Sequence, residues 1–189
     1  MKYKREHFNI PNHAHELTFS CYKNRKFLLD NNYCSLLVES IKSAKNKHNI
    51  CLLAYVFMPT HVHLLICPKE EKYSISDILL SIKQSSSRKI MNYIRKNCPE
   101  RLKYHDTGLK SKPYRFWQDG GGYDRNIISK EAIKNSIDYI HNNPIKGGLV
   151  ESLSDWKWSS FNDWNNFGKG VIEIDKEEFL LYGITPKQV

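Results

Sequence analysis

The chain contains no apolar stretch long enough to span a membrane and no basic amphipathic helix suited to lie on one. Its first residues, Met1-Lys2-Tyr3-Lys4-Arg5-Glu6-His7, lack the apolar run of a secretory signal. No two of its five cysteines form a Cys-x-x-Cys pair. That argues against a zinc knuckle, and the odd number argues against a disulfide framework. Several of these cysteines sit inside apolar runs, where a thiol behaves as a small hydrophobe. A reducing cytoplasm is the economical expectation. No internal repeat is visible. Acidic residues are in deficit, with 20 Asp and Glu against 29 Lys and Arg, for a net charge of +9. Such a surface favours polyanions, nucleic acid before any other.

At 189 residues and 40% hydrophobic content, the chain reads as one domain with a real core and a C-terminal extension. Leu17, Phe19 and Cys21 alternate with Glu16, Thr18 and Ser20, which predicts a half-buried strand. Residues 31–48 carry Leu37, Ile41 and Ala44 at helical spacing. Residues 50–57 favour a second strand, and Met58-Pro59-Thr60 a turn into a third strand that runs to about Cys67. A second helix is expected from Ser76, as N-cap, to about Asn97. Residues 98–122 are irregular, and 123–128 a fourth strand. Ser129 caps a third helix expected to end before Pro144. The order strand, helix, strand, strand, helix, strand, helix predicts an α+β, ferredoxin-like (RRM-like) antiparallel sheet with helices on one face.

Three places carry candidate chemistry. His61 and His63 stand two apart on a strand, so their rings share a face. That is either half of a divalent-metal site or two polar residues facing water. In the third helix, Ile133, Ile137 and Ile140 form the core stripe, and Tyr139 lies off it. Asn143 follows one turn later on nearly the same face. The pair offers a phenol and an amide together, or else a tyrosine packing over its neighbours. The irregular segment interleaves Arg101, Lys103, Lys110, Lys112 and Arg115 with Tyr104, Tyr114, Phe116 and Trp117. This mixture suits phosphate contact with base stacking, or a solvated loop.

Four stretches together resemble the REP-associated tyrosine transposases, within the single-tyrosine HUH transposases that move single-stranded DNA. They are His13 to Cys21; the turn and strand with His61 and His63; Phe116-Trp117-Gln118 leading into Gly120-Gly121-Gly122-Tyr123-Asp124-Arg125-Asn126; and Asp138 to Pro144 with Lys146, Gly148, Leu149 and Val150, followed by 155–161. The resemblance spans residues 13–161 in the expected order. Two departures stand out: Thr60 replaces a common asparagine, and Asp119 a common basic residue.

The resemblance implies that Tyr139 is the nucleophile, attacking a DNA phosphorus to leave a 5′-phosphotyrosine and a free 3′-hydroxyl. Only about 0.1% of free tyrosine is phenolate at neutral pH, and the phosphodiester is itself negative. A divalent metal, Mg²⁺ or Mn²⁺, would act as a Lewis acid on the phosphoryl oxygen. The resemblance implies His61 and His63 as ligands, and Asn143 as the third through its amide oxygen. Asp124 and Gln118 are expected around these ligands. Asp124 either orients a histidine or helps the metal shell, or else pairs with Arg125 or caps a turn. Lys110, Lys112, Arg115, Trp117, Arg125 and Lys146 are the expected DNA contacts. The partner implied is single-stranded DNA carrying a hairpin, with a monomer preferred over a homodimer. Residues 1–150 would form the catalytic domain and 151–189 an extension packed on or beside it. A domesticated hairpin-binding protein without transposition activity is the alternative reading.

Overall fold

In the computed structural model, which describes residues 7–181, four strands form one antiparallel sheet. They are β1 (Ala14–Ser20), β2 (Ile50–Met58), β3 (His61–Pro68) and β4 (Tyr123–Ile127). The sheet order is β2-β3-β1-β4, with every neighbouring pair antiparallel. This is the expected ferredoxin-like sheet. Helix α1 (Asn31–Lys47) links β1 to β2, and α2 (Ile75–Asn97) precedes β4. Asp30 caps α1 by accepting from the Asn32 amide at 2.9 Å. The cap of α2 is Ser74, not Ser76: its hydroxyl accepts from the Asp77 amide at 3.2 Å.

Cross-strand partners share a face, so the register sorts side chains into two sets. Leu17, Phe19, Val62 and Leu64 point one way; Glu16, Thr18, His61 and His63 point the other. The first set is the core proper. Phe19 packs edge-on against Trp117, and the Trp117 indole N–H donates to Ser86 of α2 at 2.9 Å. Tyr33 of α1 meets Phe116 on the same side. Phe116 and Trp117 are therefore buried core rings, not solvent-facing base stackers. Here the long irregular segment runs beside β1, with Tyr22 N–H donating to Phe116 and Gln118 N–H to Ser20.

Helices on one face describe α1 and α2. The third helix, α3 (Lys130–Lys146), lies across the other face, where Ser136 Oγ donates to Glu16 Oε2 at 2.9 Å. The half-buried strand predicted for β1 is thus covered on both sides, and Glu16 is only 5% exposed. Ser129 caps α3 as expected. The helix does not stop before Pro144 but continues to Lys146. Proline removes one N–H and crowds the preceding turn, yet near a helix end few bonds remain to lose. The Ile140 carbonyl, deprived of that partner, is approached by Asn143 Nδ2 at 3.5 Å.

Beyond Val150 the chain lies along the outer edge of β2. Phe57 N–H donates to the Trp158 carbonyl at 2.8 Å, Ser160 N–H to Tyr55 at 3.0 Å, and Asp175 N–H to Leu52 at 3.0 Å. Two short helices follow, α4 (Phe161–Trp164) and α5 (Glu178–Leu181). Trp158, Trp164 and Phe179 are buried, and Trp156 donates its indole N–H to the Phe57 carbonyl at 3.0 Å. Ring burial of this kind is worth a few kcal/mol at about 25 cal/mol per Å².

Candidate active site

The β2–β3 turn and strand alternation set His61 and His63 side by side, with ring centroids 4.8 Å apart and planes nearly perpendicular. Each ring is held at Nδ1 by a threonine hydroxyl. Thr18, directly opposite His63 in the register, reaches its Nδ1 at 2.9 Å. Thr60 reaches Nδ1 of His61, also at 2.9 Å. Burial disfavours the charged form of both imidazoles. It pushes His63 down to about 4, with neighbouring His61 adding a smaller effect in the same direction. His61 is lowered by burial as well. Near neutral pH the pair is uncharged and keeps a lone pair on each ring. His63 Nε2 is buried without a hydrogen-bond partner.

Across the sheet face, α3 presents Tyr139. Its ring centroid lies 5.5 Å from that of His63, edge to face. The residue is 43% exposed. Lys146 stands two turns further along α3, its Nζ 5.4 Å from the Tyr139 ring centroid. The passage through Pro144 is what carries Lys146 to that position. Asn143 Nδ2 donates to the Tyr139 carbonyl at 2.8 Å, leaving Oδ1 as the end of the amide available to a cation. Among the described residues no cluster of three His, Cys, Asp or Glu is arranged to hold a metal. The donors at hand are two neutral imidazoles and one amide oxygen. That set, with its orphaned buried nitrogen, fits a hard-to-borderline divalent ion.

The other expected neighbours of the metal lie elsewhere. Asp124 pairs with Leu17 in the register and so faces away from His61 and His63. Its carboxylate takes His15 Nδ1 at 2.8 Å and His7 Nδ1 at 2.7 Å, which together hold it below the usual carboxylate range against the opposing effect of burial. Gln118 accepts from the Lys23 amide through Oε1 and is otherwise exposed. Arg125 does share the Tyr139 face, and donates to Glu16 Oε2 at 2.7 Å. Lys110 and Lys112 are exposed. Arg115 is bonded to Asp119, which also stands 3.9 Å from Lys112 Nζ. Lys112 and Arg115 line an open groove of about 1720 Å³ against α2, with Lys83, Arg88 and Arg95. Trp117 lines it too, but as a mostly buried ring.

Four contributors escaped sequence reasoning. Glu16 links Arg125 of β4 to Ser136 of α3 and so ties the tyrosine helix to the sheet. Alternation alone makes such a residue look solvent-facing. Thr18 carried no signal, because strand register is not written in either strand alone. Lys83, pushed down to about 8 by burial, donates to the Gln118 and Gly120 carbonyls at 2.9 and 2.6 Å. Gly122, at φ +78°, packs so closely on Thr18 that a Cβ there would lie 2.2 Å from the Thr18 carbonyl oxygen. His141 points inward, and its Nε2 meets Ser160 Oγ at 2.8 Å.

The profile of the "Transposase IS200 like" family matches residues 12–143. The chain belongs to this family of transposases, whose single-tyrosine HUH members include the REP-associated tyrosine transposases. It is similar to the REP-associated tyrosine transposase of Escherichia coli K12, with 26% identity over 81% of this chain and 78% of that protein. It is also similar to a Haemophilus influenzae protein provisionally named a REP-associated tyrosine transposase, at 30% identity. That match covers 58% of each chain, so the chain spans a little over half the length of this relative. A solved REP-associated tyrosine transposase, bound to a REP hairpin, has the same fold, with a TM-score of 0.67, 24% identity and coverage of 86% of this chain and 84% of that one. Chemistry in the family depends on a divalent metal. Among the described residues no helix is long and apolar enough to cross a membrane.

Proposed function

We propose that the chain is a metal-dependent single-strand DNA endonuclease and strand transferase acting at hairpin-bearing DNA, with Tyr139 as nucleophile. The observation that carries this reading is an exposed tyrosine 5.5 Å from a neutral, half-satisfied histidine, in one chain of this family. Tyr139 Oη attacks the phosphorus, the bond to the 3′ oxygen breaks, the phenol proton passes to water, and the departing 3′ oxygen takes a proton from water to become a hydroxyl. The 5′-phosphotyrosine keeps the energy of the broken ester, so a 3′-hydroxyl can later reverse the step without ATP. His61, His63 and Asn143 would hold Mg²⁺ or Mn²⁺. When bound, the ion supplies Lewis-acid polarisation of the phosphoryl oxygen. Lys146, beside the Tyr139 ring, offers its ammonium to the same phosphate.

Lys110, Lys112, Arg115, Arg125 and Lys146 are the proposed phosphate contacts, and the groove along α2 is a path for the strand. One chain supplies both tyrosine and histidines, which supports a monomer. We place the reaction in the cytoplasm, where chromosomal DNA lies and five free thiols stay reduced. The test is a labelled single strand with a hairpin, incubated with Mn²⁺ and resolved on a denaturing gel. Wild-type protein should yield a protein–DNA adduct mapped to Tyr139. Tyr139→Phe should bind the hairpin, melt as wild type and form no adduct. A wild type that grips the hairpin without any adduct is a binding protein only, and a Tyr139→Phe variant that cuts normally is a hydrolytic nuclease.

A further inference from the structure

Both candidate ligands are held in the same manner, and nothing in the HUH pattern explains it. The hydroxyls come from different strands and different backbone contexts, Thr18 from the middle of β1 and Thr60 from the β2–β3 turn. Each nevertheless meets Nδ1 of its own histidine at 2.9 Å. We propose that Thr18 and Thr60 are paired positioning residues: each hydroxyl accepts the Nδ1 proton of its histidine, which turns both Nε2 lone pairs toward one divalent cation. The inference rests on the reading of His61 and His63 as cation-holding residues.

A hydroxyl can donate or accept, so the direction of the proton needs an argument. If Thr18 donated to Nδ1, the His63 proton would sit on Nε2. That atom is buried with no partner, and a buried donor left without a bond is penalised. With the proton on Nδ1, the same buried atom is a bare lone pair, which a cation completes. Ligating histidines commonly donate their second ring N–H to such an outer partner, which fixes tautomer and ring orientation. The two residues differ in setting. Thr18 is clamped in the sheet, with Gly122 pressed on its carbonyl. Thr60 sits at the turn, half-buried, where water can replace its hydroxyl.

The test begins on protein stripped of metal, using long-range ¹H–¹⁵N correlation, which separates protonated from bare ring nitrogens. Wild type should show His61 and His63 protonated at Nδ1 and bare at Nε2. Thr18→Val, which keeps shape and strand preference, should move the His63 proton toward Nε2. It should weaken Mn²⁺ binding, read from the paramagnetic resonance of free Mn²⁺, by about 10–100-fold. Thr18→Ser should restore both readouts, and Thr60→Val should weaken Mn²⁺ less than Thr18→Val. A wild-type His63 protonated on Nε2 overturns the proposal, as does a Thr18→Val protein that holds Mn²⁺ as tightly as wild type. A wild type that binds no Mn²⁺ overturns it together with the cation reading. A wild type that binds Mn²⁺ yet forms no DNA adduct removes only the phosphotyrosine reading.

Discussion

The two faces of one sheet are built by the same alternation and serve opposite ends. On the α1–α2 face, Leu17, Phe19, Val62 and Leu64 meet apolar partners and are sealed from water. Its strength is in packed area, and its few polar groups are satisfied in passing, as Ser86 satisfies Trp117. On the α3 face, the register delivers Glu16, Thr18, His61 and His63, all polar, under a helix that leaves Tyr139 exposed. There the stabilising contacts are hydrogen bonds with directions. The comparison teaches that covering a strand on both sides need not make both sides core. A polar second face under a helix is a place where desolvated groups are held at fixed angles.

The sharpest way to break that comparison is to remove a ring from the apolar face. Trp117→Ala should cost about 3–5 kcal/mol in chemical unfolding and still bind Mn²⁺ wherever the protein remains folded. A loss of Mn²⁺ binding at temperatures far below the melting point would mean that the two faces are not separable. The converse change is Glu16→Ala. It strands Ser136 in the interior and frees Arg125, at a cost of about 1–3 kcal/mol. Adduct formation should fall further than this destabilisation explains, because the tyrosine helix loses its tether. Equal losses in stability and adduct yield would demote Glu16 to ordinary packing.

Acid should sharpen the contrast. His141 is pushed down to about 3 by burial in the fold, whereas in the unfolded chain it titrates near its ordinary value of about 6.5. Between these values the unfolded chain binds a proton that the folded chain refuses. Stability must therefore fall as the pH falls through that window, by up to about 1.4 kcal/mol per unit. His141→Gln should melt lower near neutral pH, yet lose less on going to about pH 5, as read by thermal denaturation. A variant with an unchanged pH slope would assign the acid sensitivity to other histidines. The smallest effect is expected in the basic segment that borders the groove. Lys110→Ala with Lys112→Ala should flatten the salt dependence of single-strand binding by about 1.4, at about 0.7 per phosphate contact. Adding Arg115→Ala should flatten it by less than another 0.7, because Asp119 already holds that guanidinium.

Most of the sheet was legible in the sequence because its strands are long, β-favouring and punctuated by turns. That His61 shares a face with His63, and Tyr139 with Asn143, was legible from two periodicities, of two and of 3.6, whereas the roles expected of them came from the family resemblance and not from spacing. What was hidden depended on partners distant in sequence. Asp124 looked like a neighbour of the metal, but the β1–β4 register turns it to His15 and His7. Trp117 looked like a stacking platform in a basic loop, but a serine one helix away satisfied its N–H and allowed it inside. Pro144 looked like a stop, but it falls in the last turn of α3, where few backbone bonds remain to lose. Glu16 looked solvated, because nothing in β1 announces the helix that will cover it.

The strip of C-terminal backbone along β2 has a consequence for company as well as for stability. A strand edge is a row of unspent donors and acceptors, and any extended chain can answer it. Here Trp158, Ser160 and Asp175 answer it from within. A chain ending at Val150 would lay the apolar strand β2 open along that edge, and its troubles would then grow with protein concentration. Light scattering on such a chain should rise with time under conditions in which the full chain stays clear. The aromatic tail would then serve to keep one copy of the chain from pairing with the next along β2.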